Sequence, residues 1–131
     1  MFIVEELINF LEENELEYID IVEDAEEHCI VRFSYKFDDV EIEAAKVFAD
    51  DECKEKDEDT WTFEYYLPYL NDMAVDNVTD ILQDYCEEEE LEYQFIAYDV
   101  PVENAEFNDF IAIINEKHVE INLEDYLMDI M

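Results

Sequence analysis

The chain has 131 residues, of which 41 are Asp or Glu and only 6 are Lys or Arg, so its formal net charge is −35. This exceeds the magnitude of about 2–8 that keeps a small domain soluble, and it argues against direct binding to nucleic-acid phosphates. Half of the residues are hydrophobic and 15% are aromatic. Such a content argues against an unfolded polyanion and predicts one compact acidic domain over residues 1–131.

Several common functional classes lack their sequence signatures. The chain has no Gly, which removes the glycine-rich loops that bind nucleotide phosphates. Cys29, Cys53 and Cys86 are widely spaced and form no CxxC pair, so we expect reduced thiols, neither a disulfide framework nor a zinc site, and a cytoplasmic location. The acidic segment 1–14 is not a signal peptide, and no apolar run approaches the ~18 residues of a membrane span.

The first part of the chain alternates between helix and strand patterns. Apolar residues at helical spacing predict a helix over 2–14, and residues 16–22 are a strand candidate. An acidic turn at 24–27 precedes the clearest strand, 28–37, in which apolar and polar residues alternate. Its apolar face consists of Cys29, Val31, Phe33, Tyr35 and Phe37.

The next segment is predicted to continue this sheet. Asp38-Asp39 is a plausible hairpin turn, 40–48 a returning strand, 49–59 a charged loop, and 60–66 another strand. Residues 28–66 would then form an antiparallel meander, extended by the strand over 16–22.

A second helix is predicted over 73–88. Pro68 interrupts the preceding strand, and Asn71 or Asp72 is a suitable N-cap. The predicted core face of this helix consists of Val75, Val78, Ile81, Leu82 and Tyr85.

The last part of the chain is predicted as a strand over 91–100, a third helix over 103–116, a short strand over 119–122 and a terminal helical turn over 123–131. The predicted fold is therefore α+β, with an antiparallel sheet of about four to five strands and two to three helices packed on it.

The second helix carries the strongest candidate for a functional surface. Its acidic residues recur every four positions, so successive carboxylates climb about 6 Å and rotate ~40° around the helix. We call this set, with its extension beyond the helix, the acidic row: Asp72, Asp76, Asp80, Asp84, Glu87, Glu88, Glu89, Glu90 and Glu92. Any solvated helix face in so acidic a chain would show similar spacing, and that alternative stays open.

The distribution of basic residues favours a functional interpretation of the row. No Lys or Arg occurs between Lys56 and Lys117. Like charges four residues apart destabilise a helix by roughly 0.2–0.5 kcal/mol per pair, so the pattern opposes helix stability. A secondary acidic loop is predicted to present Asp50, Asp51, Glu52, Asp57, Glu58 and Asp59. It lacks the glycine and ligand spacing of an EF-hand, and we expect neither a dedicated metal site nor a cofactor.

Enzymatic activity is not predicted. His28 and His118 are the only histidines, and Cys29, although adjacent to His28, should face the opposite side of the strand. No pair of carboxylates is distinguished by its spacing among the 41 acidic residues.

In charge, size and aromatic content, but in no motif, the chain resembles small phage or mobile-element proteins that mimic DNA and block restriction enzymes or CRISPR effectors. Duplex DNA carries one charge per about 1.7 Å, so 35 charges correspond to ~60 Å of duplex. The resemblance implies an inhibitor that occupies the DNA- or RNA-binding surface of a basic protein, with a nuclease or CRISPR effector favoured as partner.

Two other hypotheses use the same charge. The chain could be an immunity protein or chaperone that neutralises a single basic toxin or effector, which would require a localised apolar patch. It could also be a salt-adapted protein, although its aromatic content and its lack of Gly argue against that.

Overall fold

In a computed structural model of the protein, the described residues are 4–54, 57–98, 100 and 105–117. The elements follow in the order α1 (Val4–Glu13), β1 (Glu17–Asp24), β2 (His28–Lys36), α2 (Asp39–Glu52), α3 (Glu58–Thr60), a π-helix (Trp61–Tyr66), α4 (Leu67–Glu89), β3 (Leu91–Ala97) and β4 (Phe107–Glu116). Among these residues no helix is both long and apolar enough to cross a membrane.

The four strands form one antiparallel sheet in the order β1-β2-β4-β3. The two central strands, β2 and β4, are paired along their whole length, from His28 opposite Asn115 to Lys36 opposite Phe107. Together with the three longer helices, this sheet confirms the predicted α+β fold.

The main core lies between the helices and one face of the sheet. Val31 and Phe33 of β2 belong to the same buried cluster as Phe110 of β4, and the Phe33 and Phe110 rings stack with centroids 5.6 Å apart. The helices complete this cluster with Leu7, Leu11, Ala45, Leu70, Ala74, Val78 and Leu82, all of them fully buried.

The other face of the sheet is also apolar at its centre. Ile30, Ile111 and Ile113 form a second cluster and are at most 1% exposed. The side of β2 opposite the main core is therefore mixed, because Ile30 is buried whereas Arg32 and Lys36 are exposed.

The predicted hairpin turn at Asp38-Asp39 and strand over 40–48 are wrong, because this segment is helix α2. Asp38 is its N-cap: the Asp38 carboxylate accepts from the Glu41 backbone N–H at 2.7 Å, and the Glu41 carboxylate accepts from the Asp38 N–H at 3.0 Å. This capping box starts a helix, and Ala45 and Ala49 then bury one helical face. The charged loop predicted over 49–59 is correspondingly shorter.

The strand predicted over 60–66 is also wrong, since these residues complete α3 and form the π-helix. The Leu67 N–H donates to the Thr62 carbonyl, five residues earlier. Because this bond type brings residues five apart onto one side, the rings of Trp61 and Tyr66 stack with centroids 4.9 Å apart. The predicted meander over 28–66 does not form, and β2 pairs with β1 and β4 instead.

Helix α4 begins earlier than predicted. Pro68 has no N–H to donate into the preceding turn, and it lies where the π-helix gives way to the α-helix. Asn71 and Asp72 are therefore interior residues and not caps. Of the predicted core face, Val78, Leu82 and Tyr85 are buried, whereas Val75 and Ile81 are partly buried.

The third predicted helix is wrong, because residues 107–116 are strand β4. Strand β4 contains the unbroken apolar run 110–114. Because β4 lies at the centre of the sheet, side chains on both of its faces are buried. The strands predicted over 16–22 and 91–100 are confirmed as β1 and β3 in all but their ends. The elements predicted over 119–122 and 123–131 lie outside the described residues.

The end of α4 generates a stability prediction. Glu90 caps the helix in the left-handed conformation, with φ 58° and ψ 46°, where a side chain costs roughly 1–2 kcal/mol and Gly is preferred. We expect Glu90→Gly to raise the free energy of unfolding by about 1 kcal/mol in urea denaturation, after the entropy cost of Gly in the unfolded chain.

Glu89→Gly is the matched control, because it removes the same charge one residue earlier, inside the helix. It should lower the free energy of unfolding by roughly 0.5–1 kcal/mol. Equal effects of the two substitutions would show that charge, and not backbone conformation, dominates at this helix end.

Candidate functional site

Helix α4 separates an apolar face from an acidic face. Leu70, Ala74, Val78 and Leu82 are fully buried against the sheet. On the same helix, all of the Asp residues of the acidic row are exposed: Asp72, Asp76, Asp80 and Asp84. The predicted row is therefore present as one continuous exposed line on a helix that is held rigidly by its opposite face.

The row continues around the end of α4. Glu87, Glu88 and Glu89 form the exposed last turn, and Glu90 redirects the chain into β3. Glu92, the second residue of that strand, is exposed as well. Every predicted member of the row thus lies at the surface.

The described bases leave the carboxylates of the row uncompensated. No described Lys or Arg forms an ion pair with a described carboxylate. His28 contacts Glu23 at 2.7 Å in the β1–β2 hairpin, away from the row. Within the row, Glu87 accepts a hydrogen bond from Gln83 at 3.0 Å. The Asp carboxylates of α4 accept none from any described residue, so they are open to water and to a partner.

Helices α2 and α4 run antiparallel as a helical hairpin. Glu41, near the start of α2, contacts Asn77 in the middle of α4, whereas Phe48 stacks on Tyr69 near the start of α4. Packed helices lie with their axes about 8–10 Å apart. Helix α2 carries five exposed acidic residues and one exposed base, Lys46, that lies among them: the acidic residues are Asp39, Glu43, Asp50, Asp51 and Glu52.

The predicted secondary acidic loop is divided between two helices and the connection between them. Its first three members, Asp50, Asp51 and Glu52, form the last turn of α2. Asp50 accepts from Trp61 Nε1 at 2.9 Å, and Asp57 accepts from the Asp59 N–H and the Thr60 hydroxyl, each at 3.1 Å. All six carboxylates are exposed, but that of Asp50 also joins α2 to the π-helix and that of Asp57 caps α3.

The Glu41 carboxylate joins three elements, and the sequence analysis missed this role. Besides the Asp38 N–H, it accepts from the Tyr35 hydroxyl of β2 at 2.7 Å and from the Asn77 amide of α4 at 3.3 Å. Burial, followed by the hydrogen bond to Glu41, raises the pKa of Tyr35, so its phenol remains a donor at neutral pH. The capping-box pattern from Asp38 to Glu41 was the signal that could have located this helix start.

Metal binding and thiol chemistry can be assessed for the described residues. They contain no group of three or more His, Cys, Asp or Glu side chains placed to hold a metal ion. Cys29 belongs to the main core on the helix side of the sheet, and burial, followed by the charge of Asp24, raises its pKa to about 12. Its thiol is therefore neutral and unreactive at physiological pH.

No family model, curated protein or solved structure matches the chain. Function is therefore inferred from the surface and the fold alone. The feature that separates this surface from an ordinary polar one is a line of unpaired carboxylates on a helix whose opposite face is fully buried.

The buried thiol and phenol groups give a prediction about stability at alkaline pH. Burial raises the pKa of Cys29 and Cys86 from 9.0 to about 12, and burial with the charge of Glu89 raises that of Tyr85 from 10.0 to about 12. Their stabilising effect is complete below the unfolded-state values and is lost as pH rises through the folded-state values. The melting temperature should therefore fall as pH rises above about 9, measured by circular dichroism.

Cys86→Ala separates the contribution of the Cys86 thiol from those of Cys29 and Tyr85. The variant should lose less stability than the wild type between the ordinary thiol and phenol values, 9.0 and 10.0. A wild-type melting temperature that stays constant across this range would contradict the prediction.

Proposed function

We propose that the protein is an acidic nucleic-acid mimic, which binds a basic nucleic-acid-binding protein and inhibits it by occupying its DNA- or RNA-binding surface. A restriction nuclease or CRISPR effector is the favoured class of partner. The observation that carries this proposal is the acidic row of α4, in which exposed Asp residues recur every fourth position with no described base to neutralise them.

The charge density of the helical hairpin supports this proposal. The acidic row presents one carboxylate per about 6 Å of helix axis, against one phosphate per about 3.4 Å on a single strand of DNA. Helix α2, which packs against α4, adds five exposed carboxylates and one exposed base, Lys46. The two helices together present a strongly anionic surface, which suits a basic groove shaped for phosphates.

The placement of charge within the helices also favours a function beyond stability. Neither α2 nor α4 has a basic residue in its last turn, and both end in exposed acidic residues. Carboxylates at a helix C-terminus are unfavourable with respect to the helix dipole, by typically 0.3–1 kcal/mol each at low salt. Just beyond the end of α2, Lys54 donates to the Asp51 carbonyl at 3.1 Å, whereas the last turn of α4 has no basic residue. A sequence optimised for stability would place Lys or Arg at the end of α4, where the acidic row lies instead.

The immunity-protein or chaperone alternative is favoured by one specific observation. Val40 is 77% exposed and Val47 is 50% exposed, both on α2. Such a localised apolar patch suits recognition of a single protein partner, independently of nucleic acid.

Neutralising the row tests the proposed function. The test variant combines Asp72→Asn, Asp76→Asn, Asp80→Asn and Asp84→Asn, and its matched control combines Glu5→Gln, Glu12→Gln, Glu13→Gln and Glu26→Gln, all at exposed positions. Both sets remove the same charge. Ion pairs at an exposed interface contribute roughly 0.2–1 kcal/mol each, so the row variant should bind the partner about ten- to a hundred-fold more weakly, and the control much less so.

The partner is first captured from a bacterial lysate at low salt, identified by mass spectrometry and then titrated by calorimetry. Competition by duplex DNA supports mimicry, whereas a partner that binds equally well with DNA present supports the immunity alternative. Equal losses in the two variants would contradict a role for the acidic row.

A single substitution tests whether the row opposes stability. Asp76 lies four residues from both Asp72 and Asp80, so Asp76→Lys turns two repulsive pairs into attractive ones. We expect it to raise the free energy of unfolding by about 1 kcal/mol while weakening partner binding. Asp76→Asn, which only removes the repulsion, should give about half of that gain, and a Lys variant less stable than wild type would contradict the interpretation.

A further inference from the structure

Helix α2 presents apolar side chains to solvent within a strongly acidic surface. Val40, Val47 and Phe48 are among the five large hydrophobic residues found exposed in the described chain, and all three lie on this helix. Val40 and Val47 are two turns apart on the same side, and Phe48 borders them on the side of α4. Three exposed apolar side chains are thus brought together on one helix, within a surface that is otherwise strongly charged.

Phe48 is part of an aromatic platform formed with Tyr65 and Tyr69. Its ring stacks on that of Tyr69 with centroids 4.7 Å apart and planes inclined by 26°, and it meets Tyr65 at 6.4 Å. Phe48 is 37% exposed, and both tyrosines are partly exposed. The platform therefore offers aromatic surface to a partner at the junction of α2 and α4.

Carboxylates border the platform on both helices. Asp51 and Glu52 follow Phe48 by three and four residues, and Asp72 follows Tyr69 by three, so each lies one helical turn from a ring. All three are exposed. The neighbouring Lys54 donates to the backbone carbonyl of Asp51 at 3.1 Å, while the cation–π contact of the described residues lies elsewhere, between Lys36 and Phe107.

The platform is held in place before any partner binds. Trp61, in the π-helix, donates from Nε1 to Asp50 at the end of α2 and stacks on Tyr66. These contacts fix the π-helix, which carries Tyr65, against α2. Single π-helical turns are rare and are often found at functional sites.

We infer that the aromatic platform holds an arginine side chain of the basic partner, with the guanidinium stacked on Phe48 and its N–H groups donating to the bordering carboxylates. This inference rests on the proposed function, since it names the group that the mimic recognises. A guanidinium is planar, stacks on aromatic rings and donates to carboxylates in a fixed geometry, whereas an ammonium is a compact, strongly hydrated charge. Proteins that bind phosphates commonly do so through arginine.

Oligo-arginine and oligo-lysine peptides of equal length test the inference, because they carry the same charge but differ in the capacity to stack. Affinities are measured by calorimetry over a salt series for the wild type, for Phe48→Leu and for Phe63→Leu. Phe63→Leu is the matched control, since Phe63 is a 55%-exposed aromatic residue of the π-helix outside the platform.

The wild type and Phe63→Leu should bind oligo-arginine about two- to five-fold more tightly than oligo-lysine. In Phe48→Leu this preference should disappear, while the salt dependence of both peptides is unchanged, because no charge has been altered. Tyr69→Leu, which removes the ring beneath Phe48, should reduce the preference as well. Circular dichroism melts of each variant establish that binding is measured below the unfolding transition.

Two results would overturn the inference: equal binding of the two peptides to the wild type, or a preference for oligo-arginine that persists in Phe48→Leu. The proposed function would remain intact if both peptides bind and added salt weakens their binding. Failure of both peptides to bind at low salt would overturn the proposed function together with the inference.

Discussion

The packing of α4 on the sheet is the interaction on which the rest of the molecule depends. Four like-charged pairs along the acidic row oppose the helix by on the order of 1–2 kcal/mol in total. Burial of the opposite face, with Leu70, Val78 and Leu82 fully excluded from water, exceeds this cost, because each fully buried side chain of this kind contributes about 1.5–3 kcal/mol. The same contact that stabilises the helix therefore also displays the charge in a fixed direction.

The Glu41 carboxylate positions helix α2, and with it the surface that lies next to α4. By accepting hydrogen bonds from the Asp38 backbone, the Tyr35 hydroxyl and the Asn77 amide, it ties the start of α2 both to the sheet and to α4. The antiparallel course of α2 then brings Phe48 onto Tyr69. The aromatic platform, and the position of the acidic residues of α2 next to α4, both depend on this one anchored helix start.

Periodicity alone predicted α1, β1, β2, α4 and β3 as well as the exposed acidic row, because in each the apolar spacing matches a single element type. It failed for residues 40–48, where apolar residues fit either period and the capping box decides, and for 110–114, where an unbroken apolar run has no period. The aromatic platform could not be predicted, since Phe48 and Tyr69 meet only when both segments are helical.

The places where the sequence departs from the rules of helix stability coincide with the proposed binding surface. α4 ends in acidic residues, lacks a basic residue in its last turn and is capped by Glu90 in a conformation that favours Gly. α2 also ends in acidic residues beside the platform, but its C-cap, Cys53, is extended and Lys54 donates to the Asp51 carbonyl. Such departures are expected where function constrains a sequence. The charge at the two helix ends attracts a basic partner over a long range. The aromatic contact acts only at short range and depends on geometry, so it is the feature that would distinguish one cationic partner from another.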